Sequence, residues 1–368
     1  MLVIGLLYFL LYAALVFYIG WSGWRWISPK AGTVLKYVYI AVIIAVASSF
    51  MLGRWTQNVL IEMFGAYWMA VFYLLLLLLP LVQLVFRLLR FTRLPRQRAR
   101  AWEGLATLIL LTVFLAYGLF NAYSPVVRTY DIHIEKPESP SGSLNIVAAS
   151  DTHFGVLSGK GHAERLVREI NALDPDLVMF PGDLLDDAVE PFVDQGIDRI
   201  LAQIDAEYGV YASLGNHDRH DGSMQELIGA LERSGMKVLA DERVTVGGAD
   251  GTVTLIGRKD LSDPGRAGLS DLMEGVDRSK PVIVLDHQPY ELDEASRQGV
   301  DLLLSGHTHR GQIFPGNLLT GIIYENDWGH LQKGTLHSVV TSGYGFWGPP
   351  IRIGTRSEIV RIRLTFGP

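Results

Sequence analysis

Two histidines separated by one residue, His307 and His309, follow the leucine run 302–304, which is typical of a buried strand. Four other apolar runs also end in aspartate, asparagine or histidine. These are "NIVAAS" before Asp151 and His153, "LVMFP" before Asp183 and Asp186, "VYASL" before Asn216, His217 and Asp218, and "VIVLD" before His287. In α/β sheets the carboxyl ends of the strands face the ligand crevice. We therefore predict that five segments bring these polar side chains to one place.

The side chains gathered there have the chemistry of metal ligands. Carboxylate oxygens and imidazole nitrogens suit borderline divalent ions, and the chain has no cysteine, which argues against a closed structural zinc site. Two ions about 3.5–4 Å apart that share one carboxylate would use all of the candidates and leave positions for water and a phosphoryl oxygen. We expect two divalent metal ions, manganese first, with iron, zinc or nickel as alternatives. The candidate ligands are Asp151, His153, Asp183, Asn216, His287, His307 and His309.

Each candidate also has an interpretation without a metal. His287 alone is typical of a hydrogen-bonded core histidine. Asp151 alone suits a turn or a cap, and Asn216 alone suits a left-handed turn. The complete set favours metal binding, and glycines before Asp183, Asn216 and His307 would let the backbone turn sharply there. The histidines outside the motifs are assigned to the surface or to packing: His133, His162, His220, His330 and His337.

The order of the elements predicts an α/β fold after residue 124. Brief apolar runs that suit strands buried on both faces alternate with helical patterns at 160–173 and 223–236, and with a weaker one at 189–204. A strand-like stretch, "VVRTYDIHIE", precedes them and is followed by the proline- and serine-rich loop "KPESPSGS". Alternating strands and helices indicate a layered α/β domain.

The first 123 residues have a different character. Four apolar runs, 2–20, 33–52, 64–86 and 104–123, are each long enough to cross about 30 Å of hydrocarbon as a helix. Buried core helices are the alternative, but tryptophans at the edges of the runs favour a membrane. We predict a transmembrane domain over 1–123 and a catalytic domain over 124–368.

Charge predicts the orientation of the spans. The loop between the third and fourth spans contains six arginines, Arg87 to Arg100, and by the positive-inside rule it is cytoplasmic. The N-terminus and the domain after the fourth span would then lie on the extracytoplasmic side of the cell membrane. The alternative is that the arginines form a patch for anionic lipid or nucleic acid. Residues 1–123 carry 10 Lys+Arg and 2 Asp+Glu, whereas the rest carry 22 and 36, so the outer domain repels nucleic acid.

The ordered motifs D-x-H, G-D-x-x-D, G-N-H-D, a lone His and G-H-x-H resemble those of the calcineurin-like metallophosphoesterase superfamily, above all its branch with N-terminal membrane spans. The resemblance covers about residues 126–364 and implies an α/β sandwich of central β-sheets flanked by helices. It implies that the first ion is bound by Asp151, His153, Asp183 and His309. It implies that the second is bound by Asp183, Asn216, His287 and His307.

The resemblance also implies roles near the ions. His217 corresponds to the catalytic histidine, which protonates the leaving group or stabilises the transition state. We expect Asp218 to orient His217, and Asp186 to support a ligand through a hydrogen bond. A water between the ions would become the hydroxide nucleophile. Arg310 departs from the glycine that is common in close relatives, and it is either an exposed arginine or a clamp for a substrate phosphate.

Membrane lipids are the expected partners, because a domain at the membrane surface meets headgroups at high effective concentration. The expected substrate is a phosphomonoester, phosphodiester or pyrophosphate, with a lipid-linked one favoured. Two alternatives are a phosphoprotein or cyclic-nucleotide phosphoesterase and a non-catalytic metal-binding sensor or scaffold. The loops "FPGNLLTGIIYENDWGH" and "SGYGFWGPP" are expected to pack on the core, with contact to the bilayer or to an acyl chain as the alternative.

Overall fold

The computed structural model describes residues 2–27, 32–56, 58–89, 96–137, 142–186, 188–219, 224–248 and 251–367. These residues form two compact units. One unit contains the residues up to Phe120 together with Gly348–Ile351, and the other contains Asn121–Trp347 and Arg352–Pro368. The change of unit near residue 120 lies close to the predicted domain boundary at 123.

Four long helices build the first unit: α1 (Leu2–Ile27), α2 (Thr33–Thr56), α3 (Val59–Leu89) and α4 (Arg96–Tyr123). All four are long and apolar enough to cross a membrane, as predicted, and each extends beyond its predicted span. Polar side chains between these helices pair with one another, since Gln83 Nε2 donates to Ser22 Oγ at 3.1 Å. Of the arginines in the predicted cytoplasmic loop, Arg90 and Arg93 lie outside the described residues.

Two six-stranded sheets build the second unit. The first sheet has the order β1-β12-β2-β3-β4-β5 and consists of β1 (Val126–Glu135), β2 (Ser143–Ala148), β3 (Leu177–Pro181), β4 (Val210–Ser213), β5 (Met236–Val238) and β12 (Glu358–Gly367). The second sheet has the order β10-β11-β9-β8-β7-β6 and consists of β6 (Glu242–Gly248), β7 (Gly251–Gly257), β8 (Val282–Leu285), β9 (Leu302–Ser305), β10 (Gly329–Lys333) and β11 (Leu336–Val340).

Helices cover the outer faces of the sheets. They are α5 (Lys160–Asn171), α6 (Glu190–Asp194), α7 (Ile197–Leu201), α8 (Met224–Arg233), α9 (Leu269–Leu272) and α10 (Leu292–Gln298). A further helix, α11 (Gly316–Ile323), has no buried residue. The predicted helical segment 189–204 forms the two short helices α6 and α7, because Gly196 between them adopts the left-handed conformation with φ 65°.

The side chains of each strand alternate between two cores. In β3, Val178 and Phe180 pack against the helices, whereas Leu177 and Met179 pack between the sheets. In β9, Leu302 and Leu304 lie in the same inter-sheet core. The apolar runs are continuous because both faces of each central strand are buried. The predicted α/β sandwich of central sheets flanked by helices is confirmed.

The layering also places the predicted ligands. β2, β3 and β4 of the first sheet end just before Asp151, Asp183 and Asn216, and β8 and β9 of the second sheet end just before His287 and His307. These strands run parallel within each sheet, so their carboxyl ends lie along the same edge of that sheet.

Candidate metal centre

The loops that carry the site have an unusual backbone. Five of the predicted ligands adopt positive φ, which is uncommon for residues other than glycine. They are Asp151 (52°), His153 (43°), Asp183 (52°), His307 (68°) and His309 (46°). Such conformations concentrate at functional sites, where the surrounding structure holds the chain in place. Here they turn each chain sharply after its strand.

Two glycines let these loops approach one another. A Cβ atom at Gly215 would overlap the carboxylate of Asp183, and one at Gly306 would overlap the side chains of Ser150 and Asp151. Gly306 follows β9 of the second sheet, whereas Ser150 follows β2 of the first. The absence of a side chain at Gly306 is therefore what brings the two sheets' loops together.

The first ligand group consists of Asp151, His153 and His309, and all three are buried. The Nε2 atoms of the two histidines lie 3.1 Å apart, and His309 Nε2 lies 3.5 Å from Asp151 Oδ1. Burial raises the pKa of Asp151 to about 6, although the charge of His287 opposes the rise. Burial lowers the pKa of His153 to about 3 and that of His309 well below its ordinary value, so both imidazoles are neutral at neutral pH.

The second ligand group consists of Asp183, His287 and His307. His287 Nδ1 lies 2.9 Å from the carbonyl oxygen of Pro181, which can only accept, so Nδ1 carries a proton and Nε2 faces Asp183 Oδ2 at 3.1 Å. Burial disfavours the charged forms of His287 and Asp183, but the opposite charges of these two side chains stabilise each other. The charge of Asp183 raises the pKa of His287 to about 10, and His287 lowers that of Asp183.

The remaining predicted ligand is Asn216. Its Oδ1 atom is buried and has no hydrogen-bond partner among the described residues. A buried amide oxygen without a partner is costly, and a cation would satisfy it. Its role as a ligand stays a prediction.

The predicted catalytic histidine, His217, lies beside both groups. Its backbone N–H donates to Asp183 Oδ1 at 2.8 Å, and its ring centre lies 4.9 Å from that of His153. His217 Nδ1 is 2.7 Å from the carbonyl oxygen of Asp186, so Nδ1 carries a proton and Nε2 is the atom that can exchange one with a substrate. Asp186 Oδ1 lies 3.7 Å from His153 Nδ1, which is beyond hydrogen-bond distance, and this nitrogen has no hydrogen-bond partner among the described residues, so the hydrogen bond expected from Asp186 stays a prediction.

The Asp218 carboxylate forms hydrogen bonds with the backbone. It accepts hydrogen bonds from the N–H groups of Leu184, Leu185 and Gly215 at 2.9–3.0 Å. These bonds join the loops after β3 and β4. Burial raises the pKa of Asp218 to about 7, although the backbone N–H groups of Gly215 and Leu185 favour its ionised form. A direct role in orienting His217 stays a prediction.

Sequence reasoning missed one buried charge near the first group, Arg352. The residue is fully buried, and its Nη2 donates to the carbonyl oxygens of Ser342 at 2.6 Å and Gly345 at 2.7 Å. These carbonyls are nearer than His309 Nδ1, at 3.2 Å, and satisfy both hydrogens of Nη2. Burial lowers the pKa of Arg352 to about 10, so it remains charged and helps to keep His309 neutral. An arginine between two isoleucines was the only sequence signal of this role.

Arg310 stacks on an aromatic ring. Its Cζ atom lies 3.7 Å from the centre of the Trp328 ring, which is a cation–π contact. Trp328 Nε1 in turn donates to the buried Glu358 at 3.1 Å. A clamp on a substrate phosphate stays a prediction for Arg310.

The other histidines lie in packing or surface positions. His162 packs against Tyr344 with ring centres 4.3 Å apart, and His330 stacks on His337 at 5.2 Å. His133 pairs with Thr365 at 3.0 Å, and His220 lies outside the described residues.

Comparison with known proteins matches residues 144–311 to the family described as calcineurin-like phosphoesterase. The chain is 34% identical over 277 residues to a transmembrane protein with metallophosphoesterase domain from Danio rerio, covering 71% of this chain and 62% of that protein. It is 31% identical to an uncharacterized metallophosphoesterase from Campylobacter jejuni, covering 70% and 68% of the two chains. It is 32% identical to an uncharacterized metallophosphoesterase from Aquifex aeolicus, covering 68% and 95%. The chain thus spans less than two thirds of the length of the Danio rerio relative.

Proposed function

This chain belongs to the calcineurin-like phosphoesterase family, and from that membership we propose that it is a metal-dependent hydrolase of phosphoester or pyrophosphate bonds. The position of Asp183 carries the proposal. Its Oδ2 atom lies 3.1 Å from Nε2 of His287 and 3.9 Å from Nε2 of His153, so one carboxylate is near both ligand groups. A carboxylate shared between two ions is what a dinuclear hydrolase needs.

The donor set fits two divalent ions. Oxygen and nitrogen atoms without thiolate suit manganese, iron, zinc or nickel, and manganese is our first choice. Asp151, His153, Asp183 and His309 would hold one ion, and Asp183, Asn216, His287 and His307 would hold the other. Bound there, the ions would lower the pKa of a water molecule and neutralise charge on a phosphoryl group.

The chain's own residues would orient and protonate the substrate. His217 Nδ1–H donates to the carbonyl oxygen of Asp186, so Nε2 is the ring nitrogen that would give a proton to a leaving oxygen. Asp218 ties the loops that carry Asp183 and His217 through three backbone hydrogen bonds. This connection keeps the proton donor at a fixed distance from the carboxylate that serves both ions.

The substrate is proposed to be a membrane lipid or a lipid-linked phosphoester. Four helices that can span a membrane precede the domain, and only Ser124 and Pro125 separate α4 from β1. The six arginines of the loop at 87–100 support an extracytoplasmic domain. A tag at the C-terminus that a protease reaches only in permeabilised cells would contradict that side.

The activity is tested with the full chain in detergent and with manganese, on a soluble bis-aryl phosphodiester. We expect hydrolysis that a chelator abolishes. His217→Ala is expected to lower kcat by about a hundredfold while the measured metal content stays at two ions per chain, because the proton transfer alone is lost. A parent chain that binds two ions and leaves the diester intact would support a non-catalytic sensor instead.

A further inference from the structure

An exposed apolar surface lies on the loops that leave the metal centre. Helix α11 has no buried residue, and its Ile322 side chain is 81% exposed. We name this surface the apolar rim, and it consists of Phe314, Leu318, Leu319, Ile322, Ile323 and Trp347. Soluble proteins rarely expose apolar side chains in such a contiguous set without a binding function. The expectation that the two tail loops pack on the core is wrong for this helix.

Hydrogen bonds join the apolar rim to the turn that carries His309. Thr308 Oγ1 donates to the carbonyl oxygen of Asp327 at 2.7 Å, and Thr320 Oγ1 of α11 donates to the carboxylate of Asp327 at 2.8 Å. On the other side of the turn, Gln312 exchanges two hydrogen bonds of 2.9 Å with the backbone of Trp347.

The same loops border the catalytic side chains. The Trp347 ring lies 5.9 Å from that of His217, and the Tyr324 ring, just after α11, lies 6.2 Å from that of His307. The rim is therefore built onto the border of the ligand groups. A surface that binds the rim would lie next to the reacting groups.

A lipid bilayer is the occupant that fits the rim. The chain carries four helices that can span a membrane, and only two residues connect the last of these helices to the first strand of the domain. Residues 313–323 contain no charged side chain, and the rest of the domain is strongly acidic. Attraction to anionic headgroups therefore does not explain the surface, whereas burial of leucine, isoleucine and tryptophan at the acyl boundary does.

We infer that the apolar rim inserts into the surface of the membrane that anchors the chain, so that the metal centre receives the headgroup phosphate of a lipid lying in that membrane. Insertion of the apolar rim into lipid does not depend on hydrolysis. Delivery of a headgroup phosphate to the metal centre rests on the proposed function. Aliphatic side chains would enter the lipid, and Trp347 would lie at the level of the headgroups.

The absence of native cysteine allows a direct test on the full chain. Ile322→Cys and Leu319→Cys would each be labelled with an environment-sensitive fluorophore in phosphatidylcholine nanodiscs that contain nitroxide-labelled lipid. Lys237→Cys, at an exposed position of β5, is the matched control. We expect the nitroxide lipid to quench both rim labels and to leave the control unchanged. Equal, weak quenching at all three positions would overturn the inference.

A second measurement separates this inference from the proposed function. Ile322→Asp is expected to lower hydrolysis of vesicle phosphatidylcholine about tenfold relative to hydrolysis of the soluble diester, because a carboxylate opposes insertion. Ile322→Leu should keep the parent ratio. An unchanged ratio in Ile322→Asp would contradict a role of the rim in delivery. If the parent hydrolyses neither substrate, the proposed function fails, while quenching still decides whether the rim lies in lipid.

Discussion

The two ligand groups of the metal centre both have ligands for divalent ions, but their histidines differ in charge. In the group of Asp151, His153 and His309, burial keeps both imidazoles neutral, and the charge of Arg352 reinforces that state at His309. In the group of Asp183, His287 and His307, an imidazolium and a carboxylate stabilise each other. The first group is thus ready for a cation, whereas a cation in the second must displace a proton. Two similar sets of residues therefore need not bind their ions alike.

Replacement of the carboxylate near both groups is the most severe test of the comparison. Asp183→Asn is expected to lower hydrolysis by on the order of a thousandfold or more and to reduce the metal content of both groups, because one ligand serves two ions. Asp186→Asn is the control, since the Asp186 carboxylate lies 3.7 Å from His153 and is not one of the ligands assigned to either ion. Loss of a single ion in Asp183→Asn would show that the groups do not share this carboxylate.

Arg352→Met is expected to change metal binding in the first ligand group and not in the second. The guanidinium holds the loop carbonyls of Ser342 and Gly345 beside His309, so its removal should weaken the ion at the first group by about tenfold. The affinity of the second group should stay within about twofold of the parent value. Equal weakening of both ions, measured by titration with manganese, would point to a general disturbance of the domain.

The proton on His287 leads to a prediction about how metal affinity depends on pH. With a pKa of about 10, this imidazole is charged at neutral pH, and ion binding must remove its proton. The affinity of the second group should therefore rise by up to about tenfold per pH unit between pH 6 and 9, whereas the first group, whose histidines are already neutral, should change less above the pKa of Asp151, about 6. Calorimetry at several pH values would measure both steps. Parallel pH profiles would contradict the comparison.

A smaller effect is expected at His162, which packs against Tyr344 and is also kept neutral by burial. Its pKa falls from 6.5 to about 4 on folding, so the unfolded chain binds more protons between these values. His162 therefore contributes no penalty above pH 6.5 and destabilises the fold as the pH falls toward 4. His162→Phe should flatten the fall in the free energy of unfolding by up to about 1.4 kcal/mol per pH unit, measured by tryptophan fluorescence. An identical slope in both proteins would exclude this role.

The sequence was sufficient to predict the helices of the first unit and the family, because both depend on composition and on residue order. Four apolar runs of membrane length and five ordered motifs do not need a tertiary structure to be recognised. The meeting of strand ends was also predictable, since parallel strands share one polar edge.

Other features depend on tertiary contacts and were not predictable. The positive φ of Asp151 and His309 was not predictable, because aspartate and histidine adopt positive φ more often than most residues but still only in a minority of cases. The placement of Arg352 under His309 depends on carbonyl groups that only the folded loops bring together. The exposure of α11 was not predictable from the sequence either, because a short apolar segment suits a core equally well.

The position of β12 has a consequence for biosynthesis. Residues 358–367 leave the ribosome after every other described element, yet they form the strand between β1 and β2. The four N-terminal helices are available to the insertion machinery long before that strand exists. Until it arrives, β1 has no neighbour in its sheet and one edge of β2 stays open, so chaperones that shield open strands would act on the nascent chain during this interval.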